Sequence, residues 1–236
     1  MDSVTGFLLT RHWRDGPDGV ELVFWAHSDA GPLRLVFTGQ RAVCFTPADT
    51  AVNPGDLPGL RLERKRLRLH ALDGRPVDGL YFHHQRDLGS FRRHAAAASI
   101  PLYESDVKPH DRFLMERFIT APLEVAGEAV ERRGYLEFHN PAVRSGACHP
   151  RLSYVSLDIE TDGTDGEILS VALCNKDVEM ICMQGEAAHW ESDLPIRWFG
   201  DEAKLLAGFL DAFRALDPDL LLGWNLINFD LDYLQR

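Results

Sequence analysis

The chain has 236 residues, of which 45% are hydrophobic and 26% are charged, a composition typical of globular proteins. The apolar runs are too short to span a bilayer, and the N-terminus lacks the basic and apolar regions of a signal peptide. The whole net charge of −11 falls in residues 151–236, which hold 6 basic and 17 acidic residues. This part is a poor non-specific binder of DNA, and its acids suit either divalent cations or simple solvation.

The first part of the chain is predicted to be rich in strands. Turn-forming clusters separate short runs of β-branched, aromatic and leucine residues: GFLLTRHW, VELVFWAH, PLRLVFTG and GLYFHHQ. The basic run LRLERKRLRLHAL could contact nucleic acid, although a strand with one solvated face is favoured. Helices are predicted in RDLGSFRRHAAAAS and KPHDRFLMERFIT, and LEVAGEAVERRGYLEFHNP alternates as a hairpin does.

Residues 139–150, HNPAVRSGACHP, are polar and contain two prolines, so they are predicted to link two domains. His110, His139 and His149 lack the spacing of a metal site, and we expect them at the surface. The four cysteines form no CxxC pair, which indicates free thiols. Four aromatic side chains could stack on bases or pack in a core, and alternation alone does not decide between these roles: Phe7, Trp13, Phe24 and Trp25.

Residues 151–236 have the pattern of an α/β domain. Three strands, LSYVSLDIE, GEILSVALC and DVEMICMQ, should form a meander, and LLLGWN should form a short buried strand. Between them, an amphipathic helix is predicted to begin at the cap residue Asp201 and to end before Pro218. Its apolar stripe has helical spacing: Ala203, Leu206, Phe209, Leu210 and Phe213.

The first strand of this domain carries two carboxylates, Asp158 and Glu160, in an otherwise apolar run. Residues two apart point to the same face of a strand, so the two acids should stand side by side with Ile159 opposite. Like charges at this spacing repel each other unless a cation lies between them. The stretch alone leaves two readings open, a metal site or a strand that frays at Leu157 into a solvated loop.

A second polar group follows the last predicted strand. Asn225 lies at the mouth of that strand, and Asp230 comes five residues later, where a helix should begin. An acid at a helix N-terminus is often only a cap. Taken together, the two segments supply three carboxylates and an amide, separated by the elements that a ribonuclease H-like fold would place between them.

These two segments, SLDIET and GWNLINFDL, resemble the first and second exonuclease motifs of family B DNA polymerases. The stretches GFLLTRHWRD, GPLRLVF, YESDVKPHDRFLMERFIT and DPDLLLGWN resemble the bacterial DNA polymerase II branch of that family. The resemblance covers nearly the whole chain. It implies an α/β (α+β) protein with a β-rich polymerase N-terminal domain at residues 1–145 and a truncated ribonuclease H-like exonuclease domain at residues 151–236.

The resemblance further implies a 3′→5′ proofreading exonuclease that uses two divalent ions, Mg²⁺ or Mn²⁺. Asp158 would bridge both ions, Glu160 would bind the ion that carries the attacking water, and Asp230 would bind the second ion. These three carboxylates are the expected catalytic and metal-binding residues.

Three further residues are expected to bind the substrate, by the same resemblance. Asn225 would form a hydrogen bond near the scissile end, and Phe229 would pack against the unpaired 3′ nucleotide. Thr161 would touch the terminal nucleotide through its backbone.

The third exonuclease motif of the family, Tyr-x-x-x-Asp, and the palm, fingers and thumb of a polymerase are not in this sequence. We therefore expect the N-terminal part of a longer DNA polymerase of replication or repair, nearly inactive by itself, in the bacterial cytoplasm at the nucleoid. Its expected partners are a single-stranded 3′ end, a template–primer and a sliding clamp that binds outside this chain, with no membrane. Two alternatives are a non-catalytic nucleic-acid-binding scaffold and a free-standing DEDD-type nuclease.

Overall fold

The computed structural model describes residues 3–52, 59–186 and 193–236. The chain separates into two compact units, Met1–Pro150 and Arg151–Arg236. None of the helices in the described ranges combines the length and the hydrophobicity that a bilayer span requires.

The first unit is built mainly from strands, as the sequence predicts. Its elements are β1 (Ser3–Gly16), β2 (Gly19–His27), β3 (Leu33–Gln40), β4 (Ala42–Pro47), β5 (Leu62–His70), β6 (Pro76–Phe82), α1 (Gln85–Ala97), α2 (Pro109–Met115), β7 (Pro122–Ala126), β8 (Ala129–Arg132), β9 (Tyr135–His139) and β10 (Ala142–Ser145). They form a seven-stranded sheet in the order β10-β7-β1-β2-β3-β9-β8 and a three-stranded sheet in the order β4-β6-β5.

Alternating burial explains why these runs are strands with one face on a core. In β2, for example, every second side chain from Val20 to Ala26 is fully buried. Phe24 packs against Phe113 of α2 with ring centroids 5.6 Å apart, and α1 contributes Phe91, 5.3 Å from Phe82 of β6. Phe24 is therefore a core residue and is not available for stacking on bases.

Two of the sequence interpretations in this unit are wrong because of pairing between distant segments. Residues 139–150 are not a free linker, since Ala142–Ser145 forms β10 and pairs with β7. The predicted hairpin at 123–141 holds only for β8 and β9, because β7 pairs with β1 and β10 instead. Strand β4 was not predicted from the sequence.

The cysteines and two of the three histidines behave as the sequence predicts. All four cysteines are free, and His139 and His149 are exposed. His110 is buried, contrary to the expectation, because it is the second residue of α2, on the helix face that packs on the core. Burial lowers the pKa of its imidazole, and Nδ1 accepts a hydrogen bond from the backbone N–H of Asp111 at 3.0 Å.

The second unit contains β11 (Tyr154–Thr161), β12 (Ile168–Cys174), β13 (Glu179–Gln184), β14 (Ile196–Phe199), α3 (Glu202–Leu216), β15 (Leu220–Leu222) and α4 (Asp230–Leu234). The sheet order is β14-β13-β12-β11-β15. The antiparallel meander of β11, β12 and β13 confirms the prediction, while β14 was not predicted. Strand β15 pairs in parallel with β11, as a strand reached through the helix α3 should.

Helix α3 begins and ends as predicted, and its buried face overlaps the predicted stripe in part, since Phe209 is buried and Leu206 and Phe213 pack against the core. The Asp201 carboxylate caps it by accepting a hydrogen bond from the backbone N–H of Lys204 at 2.9 Å, and the helix ends at Asp217 with φ 42° before Pro218. Leu205 and Phe209 are buried, whereas Ala203 and Leu210 are exposed. The helix packs on β12, β13 and β14 along a line through Leu205, which the apolar spacing did not single out.

Strand β15 was expected to be buried, and that expectation is wrong. Leu220 and Leu222 are both exposed. The reason is position, since β15 is the terminal strand of the described sheet and pairs with β11 on one side only.

We expect the two leucines of α3 to differ sharply on truncation. Leu205 is 0% exposed and Leu210 is 42% exposed. Leu205→Ala should reduce the free energy of unfolding by about 2–5 kcal/mol because it leaves a cavity, while Leu210→Ala should change it by less than about 0.5 kcal/mol. Urea unfolding of the second unit, followed by amide exchange, measures both values. Equal losses would show that α3 does not pack through Leu205.

A buried carboxylate in the first unit makes stability depend on pH. The Glu137 side chain accepts hydrogen bonds from His139 at 3.0 Å and Arg132 at 2.9 Å and also pairs with Arg34. These partners, with His139 first, lower the pKa of Glu137 to about 2. Because the folded pKa lies below the unfolded value of about 4.3, the ionised form stabilises the fold above that pH, and this stability is lost as the pH falls towards 2.

Glu137→Gln should therefore lower the urea midpoint of unfolding most above pH ~4.5. The difference in midpoint between the variant and the unmodified protein should become smaller towards pH ~2. The matched control is Glu131→Gln on the neighbouring strand β8, where the side chain is exposed and no ion pair is seen among the described residues. This control should leave the midpoint nearly unchanged. If Glu137→Gln lowered the midpoint by the same amount at all pH values, the pKa of Glu137 would not be lowered in the folded protein.

Candidate metal centre

Strand β11 places Asp158 and Glu160 on its exposed face and buries Ile159 on the other. The strand does not fray at Leu157, because Asp158 pairs with Ala172 and Glu160 with Ser170 of β12. The reading of these acids as part of a solvated loop is therefore wrong. Both carboxylates project from a fixed strand of the sheet, on the same side.

The strand ends at Thr161, where the register shifts after Glu160. The Thr161 hydroxyl donates a hydrogen bond to the carbonyl of Gly163 at 2.7 Å, and its own carbonyl accepts one from the Gly163 N–H at 3.0 Å. Its side chain thus stabilises the turn that follows the two acids.

Asp230 lies beside this strand although it is 71 residues from Ile159 in the sequence. It is the first residue of α4 and is 1% exposed. Its Oδ1 accepts a hydrogen bond from the backbone N–H of Ile159 at 3.1 Å. Its Oδ2 is buried and has no hydrogen-bond partner among the residues that the structure describes.

The position of Asp230 follows from where β15 ends. The carbonyl of Ser153 points to β15, so by the alternation of a strand the N–H of Ile159 points to the same side. Strand β15 stops at Leu222, opposite Ser156. The Asp230 carboxylate therefore supplies the acceptor that a longer β15 would have offered to the N–H of Ile159.

Two unusual backbone positions allow the chain to return to β11 after β15. A Cβ added to Gly223 would lie 2.7 Å from the carbonyl oxygen of Leu157, so only glycine fits this approach. Asn225 adopts φ 56°, in the left-handed region that Asn tolerates. Its carbonyl accepts hydrogen bonds from the N–H groups of Asn228 at 3.2 Å and Phe229 at 3.0 Å, which closes the turn just before Asp230.

The side chains of Asn225 and Phe229 lie on the surface near Asp230. Asn225 is exposed, and Phe229 is 39% exposed with its ring centroid 5.9 Å from that of Tyr233. Neither side chain caps α4. Both remain accessible to a ligand that approaches the N-terminus of this helix.

The geometry bounds how far apart the carboxylates are. Two covalent bonds, together about 2.9 Å, separate the N atom of Ile159 from the Cα of Asp158, which therefore lies within about 6 Å of Oδ1 of Asp230. Even so, among the described residues no group of three or more His, Cys, Asp or Glu side chains is arranged to hold a metal ion. The structure brings the three acids to one end of the sheet without assembling a closed site.

The three carboxylates suit a divalent cation by their chemistry. None of them has a cationic partner among the described residues, and the nearby Arg236, two residues after the end of α4, pairs with Asp165 and Asp232 instead. Carboxylate oxygens are the preferred ligands of Mg²⁺ and Mn²⁺. The buried, unpartnered Oδ2 of Asp230 fits a metal ligand in particular, because a buried charged oxygen without a partner is otherwise costly.

Sequence reasoning missed two residues that shape this region, Gly223 and Tyr233. A glycine directly after a strand is a weak signal of close backbone approach. Tyr233, three residues after Asp230, shares its helix face and is 8% exposed, and its hydroxyl donates a hydrogen bond to the carbonyl of Gly166.

Comparison with known families gives two matches. Residues 6–41 match the N-terminal region of DNA polymerase II, and residues 184–236 match the exonuclease domain of family B DNA polymerases. The chain is 34% identical to DNA polymerase II of Escherichia coli K12 over 243 residues, covering 98% of the chain and 30% of that protein. It is 28% identical to a DNA polymerase of Thermococcus hydrothermalis over 179 residues, covering 69% of the chain and 9% of that protein.

The fold agrees with these matches. The family B DNA polymerase of Pyrobaculum calidifontis superposes with a TM-score of 0.63 at 18% identity, covering 98% of the chain and 32% of that structure. The chain thus spans about a third or less of the length of these proteins. From the sequence identity to DNA polymerase II and the two family matches, the chain belongs to the family B DNA polymerases.

Proposed function

We propose that this chain carries three metal-binding carboxylates of a 3′→5′ exonuclease within a DNA-directed DNA polymerase of the DNA polymerase II type. One observation carries the proposal. Asp158 and Glu160 share the exposed face of β11, and the buried Asp230 is held beside them by Ile159 with one oxygen free. The match of residues 184–236 to family B exonuclease domains supports it.

Mg²⁺ or Mn²⁺ is the proposed cofactor, with two ions in the complete site. When bound, divalent ions of this kind lower the pKa of an attacking water and stabilise the leaving oxygen. Asp158, Glu160 and Asp230 are the residues that would hold these ions. By the family resemblance, Asp158 would serve both ions, Glu160 the ion that carries the attacking water, and Asp230 the second ion. Asp158 and Glu160 offer carboxylates on the exposed face of β11, and Asp230 offers the Oδ2 that has no hydrogen-bond partner among the described residues.

The proposed substrate of the site is the single-stranded 3′ end of DNA. Phe229 offers a partly exposed ring, and stacking of a base on an aromatic side chain is sequence-tolerant, as removal of any terminal nucleotide requires. Asn225 offers an exposed amide in the turn that precedes Phe229, and Thr161 is the last residue of the strand that carries the two acids. The excess of acidic residues in this unit disfavours non-specific DNA binding, so the 3′ end of the DNA must be bound by specific contacts at the site.

The wider partners rest on family membership alone. A template–primer, nucleotide incorporation and a role in replication or repair at the bacterial nucleoid are proposed for the full-length protein. Contact with a sliding clamp is proposed for regions outside this chain.

A non-catalytic scaffold is the second candidate, favoured by the lack of an assembled group of metal ligands among the described residues. Titration with Mn²⁺ separates the two candidates, since only the exonuclease requires binding that Asp158→Ala abolishes. A free-standing DEDD-type nuclease is less well supported, because residues 6–41 match the N-terminal region of DNA polymerase II.

Replacing both strand acids should separate two activities of the full-length protein. Asp158→Ala combined with Glu160→Ala should abolish 3′→5′ digestion of single-stranded DNA, a loss of at least about 10²–10³-fold, because the charge stabilisation specific to hydrolysis is removed. Nucleotide incorporation should stay nearly intact. Both rates are measured on the same labelled primer.

The matched control is Glu179→Ala on β13, an exposed acid of the same sheet at a distance from the site. It should retain both activities. Equal loss of digestion and incorporation in the double variant would show that Asp158 and Glu160 have a structural role only.

The 236-residue chain by itself should digest single-stranded DNA at most in trace amounts with Mg²⁺. Mg²⁺ requires near-octahedral geometry and gives up its waters reluctantly, and groups misplaced by about 1 Å can lose about a hundredfold in rate. No closed set of ligands is assembled in its described residues. Robust digestion by the purified chain that is lost on Asp158→Ala would contradict this expectation and show that three carboxylates suffice.

A further inference from the structure

We propose that Tyr233 is a positioning residue for the exonuclease site, because it fixes the direction in which the free oxygen of Asp230 points. The inference rests on the proposed function and adds a residue to it. Helix α4 has only five residues, Asp230–Leu234. A helix this short is not stable by its own hydrogen bonds, so its orientation depends on the contacts that attach it to the sheet.

Tyr233 supplies one of these contacts. Its side chain is buried in the core of the second unit, and its hydroxyl donates a hydrogen bond to the carbonyl oxygen of Gly166. Gly166 lies in the turn that joins β11 to β12, six residues after Glu160. Tyr233 thus connects the helix that carries Asp230 to the hairpin that carries the other two acids.

The turn around Gly166 is a firm point of attachment. The N–H of Asp162 donates to the carbonyl of Glu167 at 2.9 Å, and a Cβ on Gly166 would lie 1.9 Å from the carbonyl oxygen of Asp162. On the C-terminal side of the turn, the N–H of Ile168 donates a hydrogen bond to Oε1 of Glu202 in α3 at 2.8 Å. The turn is therefore held by its own backbone and by α3, independently of α4.

Asp230 and Tyr233 together define the orientation of α4. They lie three residues apart, on one face of the helix, and each reaches the hairpin by a hydrogen bond, Asp230 to Ile159 and Tyr233 to Gly166. Two attachments at different points of α4 fix the rotation of this short helix relative to the sheet. Without the hydroxyl of Tyr233, α4 would keep its apolar packing and the bond through Oδ1 but would lose its second polar attachment, so the direction of Oδ2 would be less closely fixed.

Arg236, two residues after α4, makes a further and weaker polar contact with the turn around Gly166. Arg236 pairs with Asp165 at 3.3 Å, but its side chain is 56% exposed and that of Asp165 is 88% exposed. Exposed pairs of this kind contribute little, because water and salt screen them. Among the described residues, the hydroxyl of Tyr233 is therefore the main polar contact, apart from Asp230 itself, between α4 and the rest of the unit.

The test is Tyr233→Phe in the full-length protein, which keeps the buried ring and removes only the hydroxyl. Mn²⁺ binding is measured by electron paramagnetic resonance, and amide exchange reports on Ile159 and on residues 226–234. The Mn²⁺ concentration for half-saturation should rise about tenfold or more, as for other residues that orient metal ligands. Exchange at Ile159 should accelerate, while exchange in β12 and β13 should not change.

Digestion of single-stranded DNA supplies a further readout. The rate should fall at low Mn²⁺ and return to within about twofold of the unmodified rate at saturating Mn²⁺, because the ligands are all present and only their placement is weakened. The matched control is Tyr154→Phe, at the start of β11, where the ring is partly exposed and the hydroxyl forms no hydrogen bond with the described residues. This control should leave all three measurements unchanged.

The possible failures are distinguishable. If the unmodified protein shows no Mn²⁺ binding that Asp158→Ala abolishes, the proposed function is wrong and the role of Tyr233 falls with it. If that binding is present but Tyr233→Phe leaves its affinity unchanged, only the positioning role is wrong. A rate that falls equally at all Mn²⁺ concentrations, or faster exchange throughout the sheet, would show that Tyr233 supports the fold and does not position Asp230.

Discussion

The hydrogen bond from the backbone N–H of Ile159 to Oδ1 of Asp230 is the contact on which the candidate site depends. It satisfies a strand N–H that β15 is too short to reach, and it partly offsets the free energy of burying a carboxylate. Oδ1 is used in this way, and Oδ2 is buried without a hydrogen-bond partner among the described residues. Asp230 both pairs with the edge of the sheet and offers a ligand oxygen, so its position must be accurate. The backbone before it, with the close approach at Gly223 and the left-handed turn at Asn225, sets that position.

Local features of the fold could be predicted from the sequence because their causes are local. The alternation in β11 placed Asp158 and Glu160 on one face, and the cap at Asp201 needed only the chemistry of a carboxylate before a helix. Features set by distant partners could not be predicted in this way. The run at 142–145 has no strong strand signal and is a strand because β7 offers it an edge, and the buried line of α3 is chosen by the sheet beneath it.

In the candidate site, too, some features follow from local sequence and others depend on distant parts of the chain. The shared face of Asp158 and Glu160 follows from a period of two, whereas the approach of Asp230 depends on where β15 ends and on the left-handed turn at Asn225. By itself Asp230 could only be read as a helix cap. The order of the elements between the two segments, together with the resemblance to family B DNA polymerases, joined it to the two acids. The role of Tyr233 could not be predicted from the sequence, because it depends on a hydrogen bond to Gly166, which is 67 residues away in the chain.

Strand β15 ends the described sheet with an open edge and two exposed leucines, Leu220 and Leu222, and the neighbouring Trp224 and Ile227 are also exposed. An edge of this kind presents unpaired backbone groups next to apolar side chains, which is a template for pairing with another chain. Wherever this edge is left uncovered, self-association through β15 competes with the folded monomer. In the Arg151–Arg236 unit, the excess of acidic residues opposes that association by charge repulsion, so added salt should favour precipitation.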